Sequence, residues 1–327
     1  MIDCVRALIA VLVVAFAGML AGAAVTSSED LADGDGPEPV AYALTPSAGS
    51  AVIDRDELHG AEPQSALAAR FEPVPIARPA PVEHEFSSPP RAGLMFEVGS
   101  GRILWELHPD RELPIASLTK MMTAWMIAGE HSPDEKVLIS REATRTGGSA
   151  VGVLPAGRKV PLGALLYGLL LVSGNDAATA LAEHDAGSVD RFVDRMNDEA
   201  ERLGLGCTRF SSPHGLEDRG NHSCPRDLAT LARADLSNPR ISRIAATEHV
   251  RLPFPIKGGV LELWNNNPFI QAGDPTITGL KTGYTDAAGR CYVTTARRGG
   301  REIGVILLDS PNPLEQVPKL LELGAHA

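Results

Sequence analysis

From Ala92 onward the chain alternates between two kinds of pattern, and their order is the strongest constraint on its fold. Leu94-Met95-Phe96-Glu97-Val98 and Ile103-Leu104-Trp105-Glu106-Leu107 read as two strands around a Gly99-Ser100-Gly101 hairpin turn. Helical patterns follow. Ser117 to Gly129 is apolar on most faces and is expected in a domain centre. Leu162 to Leu171, Asp176 to Glu183, Val189 to Leu203 and Arg226 to Leu236 read as further helices. Strands return at Cys291 to Ala296 and Ile303 to Asp309, and an amphipathic helix is expected over Leu314 to Leu323. Strands at both ends with helices between them predict an α+β domain over residues 91–327, its sheet joining the two ends of the domain.

Residues 26–90 hold 10 of the 25 prolines and no apolar run long enough for a core. They read as a disordered or semi-extended linker, because too little burial is on offer to offset the ordering entropy. Residues 1–25 carry Arg6, an uncharged run from Leu8 to Val25 and an Ala21-Gly22-Ala23 cleavage pattern. Such a segment is either a cleaved signal peptide or an uncleaved membrane anchor. Both readings export the rest of the chain. The net charge of -11 and the few aromatic residues exclude a nucleic-acid partner, which needs clustered cations and stacking platforms.

Three short motifs stand in order: Ser117-Leu118-Thr119-Lys120, Ser173-Gly174-Asn175 and Lys281-Thr282-Gly283. A serine hydroxyl is a poor nucleophile until a base takes its proton. Ser117 and Lys120, three apart, share one face of the expected helix. Lys120 can act as that base only when neutral, and both desolvation and a second cation such as Lys281 favour the neutral form. A nucleophile at a helix N-terminus also finds backbone N–H groups able to stabilise an oxyanion. Ser173 and Asn175 alternate on a short inter-helix loop, where the hydroxyl can relay a proton and the amide can hold a peptide carbonyl. Lys281-Thr282-Gly283 is expected to precede a strand. Its cation and hydroxyl suit a terminal carboxylate, and Gly283 lets a substrate backbone lie along the edge. This composition gives roughly 0.4, 0.5 and 0.03 chance matches to the three patterns. Only the set, in order, is specific.

The sequence resembles the D-alanyl-D-alanine carboxypeptidases of the low-molecular-weight penicillin-binding protein family over roughly residues 92–327. Besides the motifs, Leu113 to Thr123, Leu171 to Ala178, Phe210 to Leu216 and Gly279 to Thr285 carry the likeness. The resemblance implies a β-lactamase-like α+β fold, an antiparallel sheet flanked by helices plus an all-helical lobe. It implies Ser117 as acylated nucleophile, Lys120 as base, and Ser173, Asn175 and Lys281 completing proton transfer and binding. Thr282 would contact the substrate carboxylate, and the N–H groups of Ser117 and Tyr284 would hold the oxyanion. Arg301 resembles the family's carboxylate-assisting arginine, with a solvated hairpin charge as the other reading. The implied partners are a peptidoglycan stem peptide ending in D-Ala-D-Ala and β-lactam antibiotics, with no cofactor and no metal. The family often has His or Thr where Tyr284 stands, and Ser-Thr where this chain has Ser223-Cys224. Members with a C-terminal β-domain and amphipathic helix have more chain beyond the last helix, so any tether here is expected at the N-terminus.

Cys207 and Cys224 bracket the Pro213-His214-Gly215-Leu216 loop, and in an exported chain a bridge between them is expected to stabilise by about 3 kcal/mol. The rival is a zinc site from Cys207, His214, His222 and Cys224, although closely spaced ligand pairs are missing. Cys291 reads as a buried strand thiol, and the remaining histidines as surface or capping groups. Two other functions stay open. A β-lactamase would need an added deacylating group, and no Glu-x-x-Leu-Asn stretch lies between Asn175 and Lys281. A non-catalytic peptidoglycan sensor would not need the intact Ser117, Lys120 and Lys281.

Overall fold

In a computed structural model that describes residues 81–216 and 219–327, successive residues of the central strands are buried on opposite faces of the main sheet, which determines what each face packs against. In chain order the elements begin with β1 (Ala92–Glu97), β2 (Ile103–Leu107) and β3 (Leu113–Pro114). A 3₁₀ turn (Ala116–Thr119) leads into α1 (Lys120–Glu130), followed by β4 (Lys136–Leu138) and β5 (Lys159–Pro161). Next come α2 (Leu162–Leu170), α3 (Asn175–Ala186), α4 (Val189–Arg202) and β6 (His222–Ser223). Then follow α5 (Pro225–Ser237), α6 (Pro239–Ala246), β7 (His249–Pro253), β8 (Val260–Trp264) and α7 (Pro268–Gln271). The chain ends with β9 (Ile277–Thr285), β10 (Gly289–Arg298), β11 (Arg301–Leu308) and α8 (Pro313–Ala325).

The main sheet is antiparallel with order β2-β1-β11-β10-β9, so the expected joining of the domain's two ends is realised in the β1–β11 pair. Its register sets Ala92 opposite Leu308 and Leu94 opposite Ile306. Leu94, Phe96, Ile306 and Leu308 face the core shared with the helical lobe. Met95, Val305 and Leu307 face the other way, onto Val317, Leu320 and Leu321 of α8. This is the period of two expected of a strand buried on both faces. Helix α1 is buried from Lys120 to Ala128, packed among α2, α3, α4, α5 and α6. A helix apolar on all sides can only be satisfied in that central position.

Several expectations shift. The domain starts earlier than residue 91. Val82 N–H donates to the Leu104 carbonyl (2.9 Å), and Trp105 Nε1 donates to the His84 carbonyl (2.9 Å). Phe86 meets Trp105 edge-on with ring centroids 6.0 Å apart, and Gln316 Nε2 reaches the Ser88 carbonyl at 2.7 Å. Residues 81–88 thus cover the outer edge of β2, which would otherwise present unpaired backbone groups. The expected segment at 1–25 and the linker up to residue 80 lie outside the described residues. Lys281-Thr282-Gly283 does not precede a strand but lies inside β9. Two glycines and no clean alternation hid that strand. The β7–β8 hairpin was not expected from the sequence, although it alternates, with Val250, Leu252, Leu261 and Leu263 buried; Pro253 and the neighbouring glycines interrupt the pattern.

Chains beginning at residue 81 and at residue 91 are expected to differ in stability by about 2–4 kcal/mol in urea denaturation, from lost apolar burial and hydrogen bonds. The shorter chain should also show red-shifted tryptophan emission as Trp105 loses its cover. Equal urea midpoints would mean that residues 81–90 add nothing to the fold.

Candidate active site

Ser117 does not open helix α1. It lies in the 3₁₀ turn before it, and Lys120 is the first residue of the helix. In a 3₁₀ turn residues i and i+3 nearly eclipse, so the pairing expected from a helix survives with tighter geometry. Lys120 Nζ stands 2.9 Å from Ser117 Oγ, 2.7 Å from Asn175 Oδ1 and 2.8 Å from the His214 carbonyl oxygen. The lysine is 0% exposed. Burial first, and then the charge of Lys281, hold its pKa well below the usual lysine range, against the opposing pull of Asp176.

Those three contacts have a chemical consequence. An ammonium can donate to all three oxygens, whereas a neutral amine has two hydrogens and a lone pair. Of the three partners only the Ser117 hydroxyl can turn round and donate. Deprotonated Lys120 therefore has its lone pair placed for the Ser117 proton, which is the geometry of a general base on a serine nucleophile.

The supporting groups come from three elements. Asn175 opens α3, and its amide bridges inward, Oδ1 to Lys120 and Nδ2 to the Gly147 carbonyl at 2.7 Å. One amide hydrogen remains for a substrate carbonyl. Asp176 accepts hydrogen bonds from the backbone N–H groups of Val151 and Gly152, fixing the loop that passes beside Asn175. Ser173 is held at φ 60, and its Oγ is buried with no hydrogen-bond partner among the described residues. Backbone strain and an unpaired buried hydroxyl thus coincide at this one residue. Lys281 is 1% exposed, donates to the Thr282 carbonyl at 2.7 Å, and is pushed down to about 7 by burial. Thr282 Oγ1 faces Asn266 Oδ1 at 3.5 Å.

Strand β9 is an edge of the sheet and runs against the Ser117 turn. A Cβ at Gly283 would sit 2.9 Å from the Ser117 backbone nitrogen, so only glycine allows this approach. Tyr284, the next residue, is 64% exposed, and its hydroxyl donates to Asp286 Oδ1 at 3.1 Å. Gly215 makes a second close approach, from the Pro213-His214-Gly215-Leu216 loop. Its φ is +74, and a Cβ there would lie 2.0 Å from the Ala116 carbonyl oxygen. Sequence reasoning missed this loop's part in the site, the His214 carbonyl on Lys120. The His214 ring is itself held neutral, its pKa down to about 4 through burial and the Lys120 charge. Cys207 and Cys224 form the expected disulfide across the loop, which leaves no thiolates for the rival zinc site.

Arg301 is not in the cleft. Register places Lys281 opposite Val293 and Val293 opposite Ile306. Arg301 stands five residues from Ile306, about 17 Å along the strand. Its guanidinium donates to the carbonyls of Ala327, Gly324 and Ala325 instead, a cation on the negative end of α8. Arg301 does stand at the β10–β11 hairpin, but it is bonded to α8 and is not the solvated charge of the second reading.

Gly215→Ala is expected to lower stability by roughly 2–4 kcal/mol, combining overpacking with a left-handed backbone cost. Gly204→Ala, at φ +69 with nothing within 4 Å, isolates the backbone part and should lose only about 1–2 kcal/mol. Equal losses in urea denaturation would show that the Gly215 approach is not tight.

Comparison with known proteins bears on the whole domain. The family described as D-alanyl-D-alanine carboxypeptidase (peptidase S11) matches residues 83–312. The chain is 32% identical to the D-alanyl-D-alanine carboxypeptidase DacF of Bacillus subtilis over 248 residues, 73% of this chain and 62% of that protein. It is 35% identical to DacA of Escherichia coli over 216 residues, 63% of this chain and 52% of DacA. The chain thus spans about half to two thirds of the length of these relatives. The crystal structure of the Streptomyces K15 DD-transpeptidase superposes with a TM-score of 0.70 at 28% identity, covering 75% of this chain and 100% of that one. With the three motifs gathered around one buried lysine and the match running through sheet and helical lobe alike, the chain belongs to the D-alanyl-D-alanine carboxypeptidase family.

Proposed function

We propose that the protein is a serine-type D-Ala-D-Ala carboxypeptidase, releasing the terminal D-alanine of peptidoglycan stem peptides through an acyl-enzyme on Ser117. The observation that carries this reading is the trio of contacts at Lys120 Nζ, in which the neutral lysine takes the hydroxyl proton of Ser117.

In the proposed sequence Ser117 Oγ attacks the carbonyl of the penultimate D-alanine as its proton passes to Lys120 Nζ. The N–H groups of Ser117 and Tyr284 receive the oxyanion. Ser173 relays the proton to the leaving amine, so that D-alanine departs with a neutral nitrogen. Lys281 and Thr282 hold its carboxylate, and the remaining Asn175 N–H holds a substrate carbonyl. Water then enters beside Lys120, gives up a proton and hydrolyses the ester.

A β-lactam would acylate the same serine. Its leaving group stays tethered and occupies the space that water needs, so the adduct should persist. The β-lactamase reading is not favoured, since no Glu-x-x-Leu-Asn stretch lies between Asn175 and Lys281. Export is part of the proposal, by the 1–25 segment acting as signal peptide or anchor. Among the described residues no helix is long and apolar enough to cross a membrane.

Incubation with an uncross-linked pentapeptide is expected to yield free D-alanine, and Ser117→Ala should abolish both this and labelling by penicillin. Lys120→Arg keeps a positive charge but cannot act as a base, and should slow acylation roughly 10²–10⁴-fold. Protonation of Lys120 removes the base, so the acylation rate should rise with pH along its acid limb and not fall. Rapid turnover of penicillin, or acylation by Lys120→Arg above about a hundredth of the wild-type rate, would overturn the proposal.

A further inference from the structure

Away from the cleft, at the far end of the helical lobe, three metal-ligating side chains converge. His131 ends α1, Glu135 lies in the turn after it, and His184 sits in the last turn of α3. His131 Nδ1 is 2.9 Å from Glu135 Oε2, and His184 Nε2 is 3.1 Å from that same oxygen. The three ligand atoms all lie within 4.8 Å of one another. Ligand atoms around a tetrahedral zinc stand about 3.3 Å apart, from metal–ligand bonds of about 2.0–2.1 Å.

We infer that His131, Glu135 and His184 form a binding site for a divalent cation of the zinc class, with its fourth position open to water. The surroundings are those of a prepared site. His131 turns its other nitrogen, Nε2, to Asp185 Oδ1 at 3.0 Å, and Asp185 has a side chain 1% exposed. Asp185 is in turn paired with Arg195, which also grips Glu130. A carboxylate behind a histidine fixes the tautomer and aims the remaining lone pair at the metal. Glu135 is held the same way. Its Oε1 accepts the Ser132 N–H at 2.7 Å, leaving Oε2 for the shared centre. Without a metal the ring N–H groups of His131 and His184 bond the Glu135 oxygen, and a cation would replace both of those protons on the same three atoms.

The site can be reached from solvent, with side-chain exposures of 17% for His131, 24% for His184 and 37% for Glu135. His184 also lines a recess of about 590 Å³ with Glu142, Glu183 and Asp190, whose charges favour entry of a cation. Neither histidine is near the other in sequence, and only the packing of α1 against α3 joins them.

The placement suggests what the cation does. Helices α1 and α3 begin with Lys120 and Asn175, bonded to each other at 2.7 Å. Their last turns carry His131 and His184, about 14–17 Å away at the helical rise. A metal there ties the distal ends of the two helices that present the base and its amide partner. It touches no reacting group. The inference is independent of which substrate the cleft takes.

The test uses the purified full chain with its disulfide intact, stripped by chelator and titrated calorimetrically with zinc. Cobalt(II) absorption serves as a second readout. One equivalent should bind at micromolar or tighter affinity, with intense tetrahedral cobalt bands. At a hundredfold excess over the dissociation constant the melting temperature should rise by about 5 °C. His184→Ala and Glu135→Gln should each lose the binding and the thermal shift while keeping penicillin acylation. Glu135→Gln preserves shape and the hydrogen bond to Ser132, so the test stands even if His184→Ala folds poorly. Absence of saturable binding below millimolar zinc would leave only a hydrogen-bonded cluster and overturn the inference. Stoichiometric binding that survives both substitutions would place the metal elsewhere and overturn it equally.

Discussion

A lysine taken wholly out of water must either be surrounded by acceptors or give up its proton, and Lys120 is held where both are possible. Three oxygens from three separate stretches of chain meet its nitrogen: the Ser117 hydroxyl, the Asn175 amide and the His214 carbonyl. Burial and the neighbouring Lys281 make the charged form costly, and the geometry makes Ser117 the one partner that can supply a proton in exchange. Each of the other parts of the site can be understood by what it does for this contact. Asp176 and the Gly147 carbonyl fix Asn175 from behind. The disulfide between Cys207 and Cys224 spans the loop that brings the His214 carbonyl in.

The contact also accounts for the tight packing around residues 115–119. The turn is pressed between the Gly215 loop on one side and strand β9 on the other, at distances where a single added methyl would collide with backbone. Backbone atoms are the least adjustable neighbours a side chain can meet, so both approaches require glycine. The helical lobe then acts as a frame. With the proposed cation site the frame is closed at both ends, by the Lys120–Asn175 hydrogen bond at the cleft and by the metal at the distal ends of α1 and α3.

Local pattern and tertiary placement separate clearly in this chain. Strands β1, β2, β10 and β11, the buried helix α1 and the amphipathic α8 are legible because their patterning is a property of neighbouring residues. So are Ser117 and Lys120, whose three-residue spacing brings them together in an α-helix or a 3₁₀ turn alike. Strand β9 was hidden by its own glycines, and those glycines are needed because β9 lies against the catalytic turn. Here the local rule failed at the place where function overrides it.

By itself the sequence determined the α+β class, the three motifs and the pairing of nucleophile with base, since all of these depend on residue type, order and short spacing. Only the tertiary structure decided where long-range partners lie. It removed Arg301 from the cleft to the end of α8, brought the His214 carbonyl to Lys120, and set His131 beside His184 across a gap of more than fifty residues. The physical reason is the same in each case. Register between strands and packing between helices are collective properties of the folded core, and no window of sequence contains both sides of the contact.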